Sequence, residues 1–132
     1  MAGYKHVNLL ELDDQAPNLG ADPNLYNIRF GRVPLGCEDC GVSYIRYAPG
    51  VKAHGHRHRR QEEIYILING SAEMKVGDDV FELKPWSAVR VPPELMRGIK
   101  GGPEGAEIIA IGAPNTGPGD GDEPDPNWTW ED

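Results

Sequence analysis

The sequence predicts an all-β fold, a sandwich or barrel of short strands. Three observations predict it. The chain carries 17 Gly and 12 Pro in 132 residues, which leaves little room for long helices. Between these breakers lie short β-patterned segments at regular spacing. Hairpin-type turn signals, Asn69-Gly70-Ser71 and Gly77-Asp78-Asp79, separate several of them.

The segment before Cys37 is rich in Asn, Asp, Pro and Gly, and its best strand candidate is 26–30 at a sheet edge. Cys37-Glu38-Asp39-Cys40 follows. No second CxxC or CxxH completes a structural zinc site, and no βαβ pattern surrounds the pair. Two carboxylates between the sulfurs disfavour thiolate. The pair therefore reads as two reduced thiols in a turn ahead of a strand. Further strands are expected over 42–48, 52–58, 63–68, 72–76, 80–83, 88–91 and 107–111. In the run Glu63-Ile-Tyr-Ile-Leu-Ile-Asn69 both faces are apolar. Glu63, Tyr65 and Leu67 should face inward, and Ile64, Ile66 and Ile68 outward, under a chain arm or at a subunit interface. Residues 115–132 hold six acidic residues and neither Lys nor Arg, which predicts an extended acidic Gly/Pro tail. Trp128 and Trp130 lie near its end and call for a docking surface, on this barrel or on a partner.

Composition narrows the function classes. The length suits one domain, and 39% hydrophobic residues suit a globular chain. A net charge of −8 disfavours nucleic-acid binding. No run approaches the ~20 apolar residues of a membrane span. The N-terminal residues lack the apolar core of a signal peptide, so a cytoplasmic location is expected.

The chemistry concentrates in residues 50–70. His54, His56 and His58 alternate, so an extended backbone turns all three imidazoles to one face. Glu63 follows on the next strand. Two imidazoles and a carboxylate suit zinc, iron, manganese or nickel, with coordination positions left open. The bland alternative is a solvated strand face, which the nearby Arg57, Arg59 and Arg60 favour for part of the segment, although alternation puts Arg57 and Arg59 opposite His56 and His58. The spacing Gly50-x5-His56-x-His58-x4-Glu63-x6-Gly70 resembles the first motif of the cupin superfamily. Glu62 also fits a looser spacing from His58, but only Glu63 leaves six residues before Gly70. The second motif is matched in part. Pro85 is in place, and Ser87 stands where the family has Gly. Pro92-Pro93-x-x-x-Arg97-Gly98 is similar to the family's Pro-Pro-x-x-x-His-Gly, with Arg97 at the last His ligand.

The resemblance covers roughly residues 40–114. It implies a cupin-type double-stranded β-helix, a jelly-roll barrel over 1–114 with an N-terminal arm, followed by the tail 115–132. It implies a divalent transition metal (Zn, Fe, Mn or Ni) on His56, His58 and Glu63. His54, on the same face by parity, either replaces the missing donor or sits at the pocket mouth, and the family motif favours the second. Guanidinium has no lone pair to offer, so Arg97 cannot be a ligand. It either pairs with a carboxylate or points inward and binds an anionic small molecule, and Arg46 and Arg90 could share either role. Two functions follow. One is a metal-dependent isomerase, lyase or dioxygenase. The other is a non-catalytic small-molecule-binding or sensor module with a degenerate metal site. A homodimer is expected in either case.

Overall fold

The fold is taken from a computed structural model that describes residues 3–116. Trp128, Trp130 and the rest of 117–132 lie outside the described residues. Six strands form one antiparallel system: β1 (Tyr26–Phe30), β2 (Gly41–Tyr47), β3 (Glu62–Val76), β4 (Asp79–Leu83), β5 (Ala88–Val91) and β6 (Arg97–Ala113). The order is β1-β2-β6-β3-β4, with β5 also on β3. A single helical turn, α1 (Arg32–Leu35), and two short 3₁₀ turns are the only helical elements among the described residues.

Two long strands organise everything else. β3 and β6 pair along both their halves, Glu62–Leu67 against Ile108–Ala113 and Ala72–Val76 against Arg97–Gly101. On its other edge β3 takes β5 at Glu63–Ile66 and β4 at Ala72–Val76. The core gathers between the halves, with Leu67, Met74, Val91 and Ile108 fully enclosed.

Residues 63–68 and 72–76, expected as separate strands around a turn at Asn69-Gly70-Ser71, are one strand. The register shifts between Leu67 and Asn69 and again between Gly70 and Ala72. The apparent turn signal is a bulged bend, which redirects a strand without ending it. Gly70 sits at φ +86°, and a Cβ there would lie 2.1 Å from the Gly105 carbonyl oxygen. The first half of β6 was hidden from the sequence for the same reason. The expected strand began only at 107, but Gly98, Gly101, Gly102, Pro103 and Gly105 also belong to β6. Gly101 is pressed on the Ala48 carbonyl, where a side chain would clash at 2.6 Å. The Gly77 signal gives the predicted hairpin, closing Val76 against Asp79.

The expected strand over 52–58 is not continuous. It lies beside β6 through two isolated bridges, Lys52 with Lys100 and His56 with Arg97. These span four residues on one side and three on the other, so one extra residue is accommodated and the face parity switches. Val51 and Ala53 pack on the core before the switch. His56 and His58 turn inward after it, and His54 is exposed.

The edge strand β1 is where the sequence placed it, paired with β2 from Tyr26–Tyr47 to Phe30–Ser43. Asp14 ties the N-terminal arm to it, accepting hydrogen bonds from the Ile28 and Ala16 amides (both 3.0 Å) and from Asn27 Nδ2 (2.7 Å). Cys37 and Cys40 are free thiols in the loop ahead of β2.

The bulge at Gly70 is a sharp test of this register. Gly70→Ala forces a side chain into the β6 backbone at a left-handed φ. It should cost about 3 kcal/mol or more in chemical denaturation, and a loss under about 1 kcal/mol would contradict the bent-strand register.

Candidate metal centre

Glu63 is the second residue of β3, where both neighbouring strands are small or short. Across β6 it faces Gly112, and across β5 it faces Val91. Along β6 the inward positions step down from Ile108 to Ala110 to Gly112, opposite Leu67, Tyr65 and Glu63. Lost side-chain volume opens a cavity at this end. It encloses about 1060 Å³ and is lined at its inner end by His56, His58, Glu63, Tyr65 and Arg97.

His56, His58 and Glu63 bring one donor atom each within 4.8 Å of one another. His58 Nε2 lies 2.8 Å from Glu63 Oε1, and His56 Nε2 lies 3.4 Å from the same oxygen. Two ligands at ~2.1 Å from one ion are roughly 3.0–3.4 Å apart at tetrahedral or octahedral angles. The donor types suit a divalent transition metal; the His56–Glu63 separation falls in that range, and the His58–Glu63 separation lies just below it. His54 is not in the cluster: the parity switch puts Ala53 on the inward face and His54 outside, at the cavity rim.

Tyr65, one inward position beyond Glu63, had no role assigned from the sequence. Its hydroxyl donates to Glu63 Oε1 at 2.5 Å and lies 3.4 Å from His56 Nε2. Burial, reinforced by the charge of Glu63, holds the Tyr65 pKa well above the usual phenol value, so it remains a donor. The signal was available as two-residue parity with Glu63. What it lacked was a reason to treat an inward tyrosine as more than core. For Glu63, burial raises the pKa, but hydrogen bonds from His56, His58 and Tyr65 outweigh it. The carboxyl is held well below its usual range and stays ionised.

Arg97 is fully buried. It sits opposite His56 in a pair that exchanges both backbone hydrogen bonds, 3.0 and 2.9 Å. Its guanidinium donates to the Pro92 carbonyl at 2.7 Å, and at longer range to those of Pro93 (3.4 Å) and Val91 (3.5 Å). Its Nε has no partner, and among the described residues no carboxylate pairs with it. The expected alternative, a salt bridge, is thus not what buries it. Arg46 and Arg90 play no part in the site. Arg46 turns outward to Asn27 Oδ1 (2.5 Å), and Arg90 pairs with Glu62 at 3.0 Å on the surface.

The Glu63 cluster has a pH signature in metal-free protein. A carboxyl with a depressed pKa contributes stability above its unfolded value, near 4.5, and loses it as pH falls toward the folded value. Glu63→Gln should flatten the fall of Tm below pH 4.5, by at least about 1 kcal/mol of stability across the acid limb. An acid limb identical to that of the parent would contradict the arrangement.

No protein-family model matches the chain, and no curated protein sequence matches it. Solved structures do. KdgF from Halomonas sp. superposes with a TM-score of 0.69 at 18% identity, covering 86% of this chain and 94% of that one. A variant oxalate decarboxylase from Bacillus subtilis gives 0.70 at 17% identity over 86% of this chain. This chain spans only 32% of that enzyme's length, about a third. The coconut allergen cocosin gives 0.65 at 14% identity, covering 70% of this chain and 27% of that one. A further structure of the Bacillus subtilis decarboxylase is described by its Mn(II) centres. At these identities the barrel fold itself is what this chain shares with them.

Proposed function

We propose that the protein binds a divalent transition metal through His56, His58 and Glu63, and a small anionic molecule beside it whose charge is met by Arg97. One observation carries this reading: three convergent donors share a cavity with a buried guanidinium that has no carboxylate partner. A buried charge left without a counter-charge is costly, and backbone carbonyls offset it only in part. A carboxylate or phosphate in the cavity would supply the missing charge, and the planar fork of arginine suits either.

The Mn(II) centres of the decarboxylase neighbour support a divalent ion in such a barrel. A bound ion would supply Lewis acidity and open coordination positions. The chain's own residues do the rest. Glu63 offsets positive charge, Tyr65 fixes Glu63 Oε1, and Arg97 orients the anion. Isomerase, lyase and dioxygenase chemistry are all compatible with this arrangement. Arg97 in place of a fourth donor favours a second reading, a ligand-binding module that does no chemistry.

The metal test is elemental analysis of untagged protein. One divalent ion per chain is expected, and the double variant His56→Ala, His58→Ala should lose it. Undiminished metal in that variant would refute the ligand set. Arg97→His should retain metal more strongly through an added donor, whereas Arg97→Met should weaken binding of an anionic ligand by roughly 2–5 kcal/mol. An unchanged affinity in Arg97→Met would remove the anion from the proposal.

The same reading includes a homodimer. Ile64 pairs with Ile111 and Ile66 with Ile109, and all four are half-exposed on the outer face of the sheet. An apolar patch of this kind suits a self-complementary interface. Light scattering at micromolar concentration should report a dimer that Ile66→Lys dissociates, and a monomeric parent protein would end the idea.

A further inference from the structure

We infer that the ligand is amphiphilic: a carboxylate head at the metal and Arg97, carrying an alkyl or aryl body along the wall made by β1 and β2. The inference rests on the proposed anion site and specifies what else the ligand must be. It begins with the cavity's division into two chemistries. One part of the lining holds His56, His58, Glu63 and Arg97, the groups of the proposed metal and anion site. The wall opposite is built from the inward positions of β1 and β2, where Ile28 pairs with Ile45 and Phe30 with Ser43, continued by Val51. Asp22, Arg32 and Lys52 line the cavity as well, as do Tyr26, Ser43 and Tyr47.

The second observation is where the exposed apolar side chains lie. Among the described residues nine large hydrophobics are exposed, and four of them, Leu19, Leu25, Phe30 and Val33, line this one cavity. Single exposed apolar residues are ordinary, but a cluster around one opening is a contact surface. Phe30 is 44% exposed and Val33 83%. A ligand that passes them on the way to Arg97 would remove that surface from water.

Size argues the same way. At about 1060 Å³ the cavity stands at the top of the ~300–1,000 Å³ range of small-molecule sites. A two-carbon acid would occupy only the inner end and leave the β1–β2 wall wet. A polyhydroxylated acid would place hydroxyls against Ile28, Ile45 and Val51, whose own side chains have no hydrogen-bonding group; Tyr26, Ser43 and Tyr47 are the polar members of that wall. An apolar monocarboxylate matches both ends.

The test is a calorimetric binding series on the full chain with excess Mn(II), using acetate, butanoate, hexanoate and octanoate, with gluconate as the polar control. Affinity should rise roughly fourfold per added methylene, and hexanoate should bind far more tightly than gluconate. Phe30→Asp and Val33→Asp, both at exposed positions that the fold tolerates, should flatten the upper part of the series. Arg97→Met and Arg97→Lys should weaken every member, with circular dichroism confirming the barrel in each. A flat series in which acetate and gluconate still bind through Arg97 overturns this inference alone and leaves the anion site standing. A steep series indifferent to both Arg97 variants and to the double histidine variant overturns the anion site and this inference with it.

Discussion

The antiparallel pairing of β3 with β6 is the constraint on which the rest of the structure depends. Each strand runs through both halves of the barrel, so a shift of one residue in their register would move every inward side chain outward. That pairing sets Glu63 opposite Gly112 and Tyr65 opposite Ala110, which opens the cavity. It also presents the free edge of Arg97–Gly101 to the histidine segment, and the Arg97 backbone then fixes where His56 begins. The register is interrupted at only two places, between Leu67 and Asn69 and between Gly70 and Ala72. Gly70 bends β3 at a left-handed φ that a side chain would block, and the residues of β6 across from it bulge in compensation.

Charge in the site is arranged around a single oxygen. Glu63 Oε1 accepts from Tyr65 and lies within contact of both imidazoles, which keeps the carboxylate ionised despite burial. Arg97 is held the opposite way. Its contacts are carbonyl dipoles from the Pro92-Pro93 turn, which orient it without neutralising it. The barrel therefore satisfies its buried anion from within and gives its buried cation only carbonyl dipoles.

The comparisons bear on the fold more than on the chemistry. Barrels described as an oxalate decarboxylase and as a coconut allergen superpose on this chain comparably well. Function on such a scaffold is decided by the inward residues and not by the strands. Here those residues depart from the family motif at Arg97 and Ser87. The turn that carries Ser87 places Trp86 at φ +72°, with Ser87 Oγ accepting from the Lys84 amide.

The sequence by itself determined the all-β class, the hairpin at Gly77 and the convergence of His56, His58 and Glu63. These depend on short-range spacing, which alternation along a strand converts directly into direction. It could not determine that β3 is continuous, because a bulge and a turn use the same residues. It could not place His54, because one extra residue between two bridges to β6 reverses the parity, and that count exists only once the partner strand is known. Tyr65 was legible as inward but not as the donor that fixes Glu63, since that contact needs both rotamers and the space left by Ala110. Arg97 could be located in a motif, but its burial among carbonyls was decided by the Pro92-Pro93 turn folding over it. In each case the undecided feature is a contact between segments distant in the chain, which tertiary packing sets and local pattern does not.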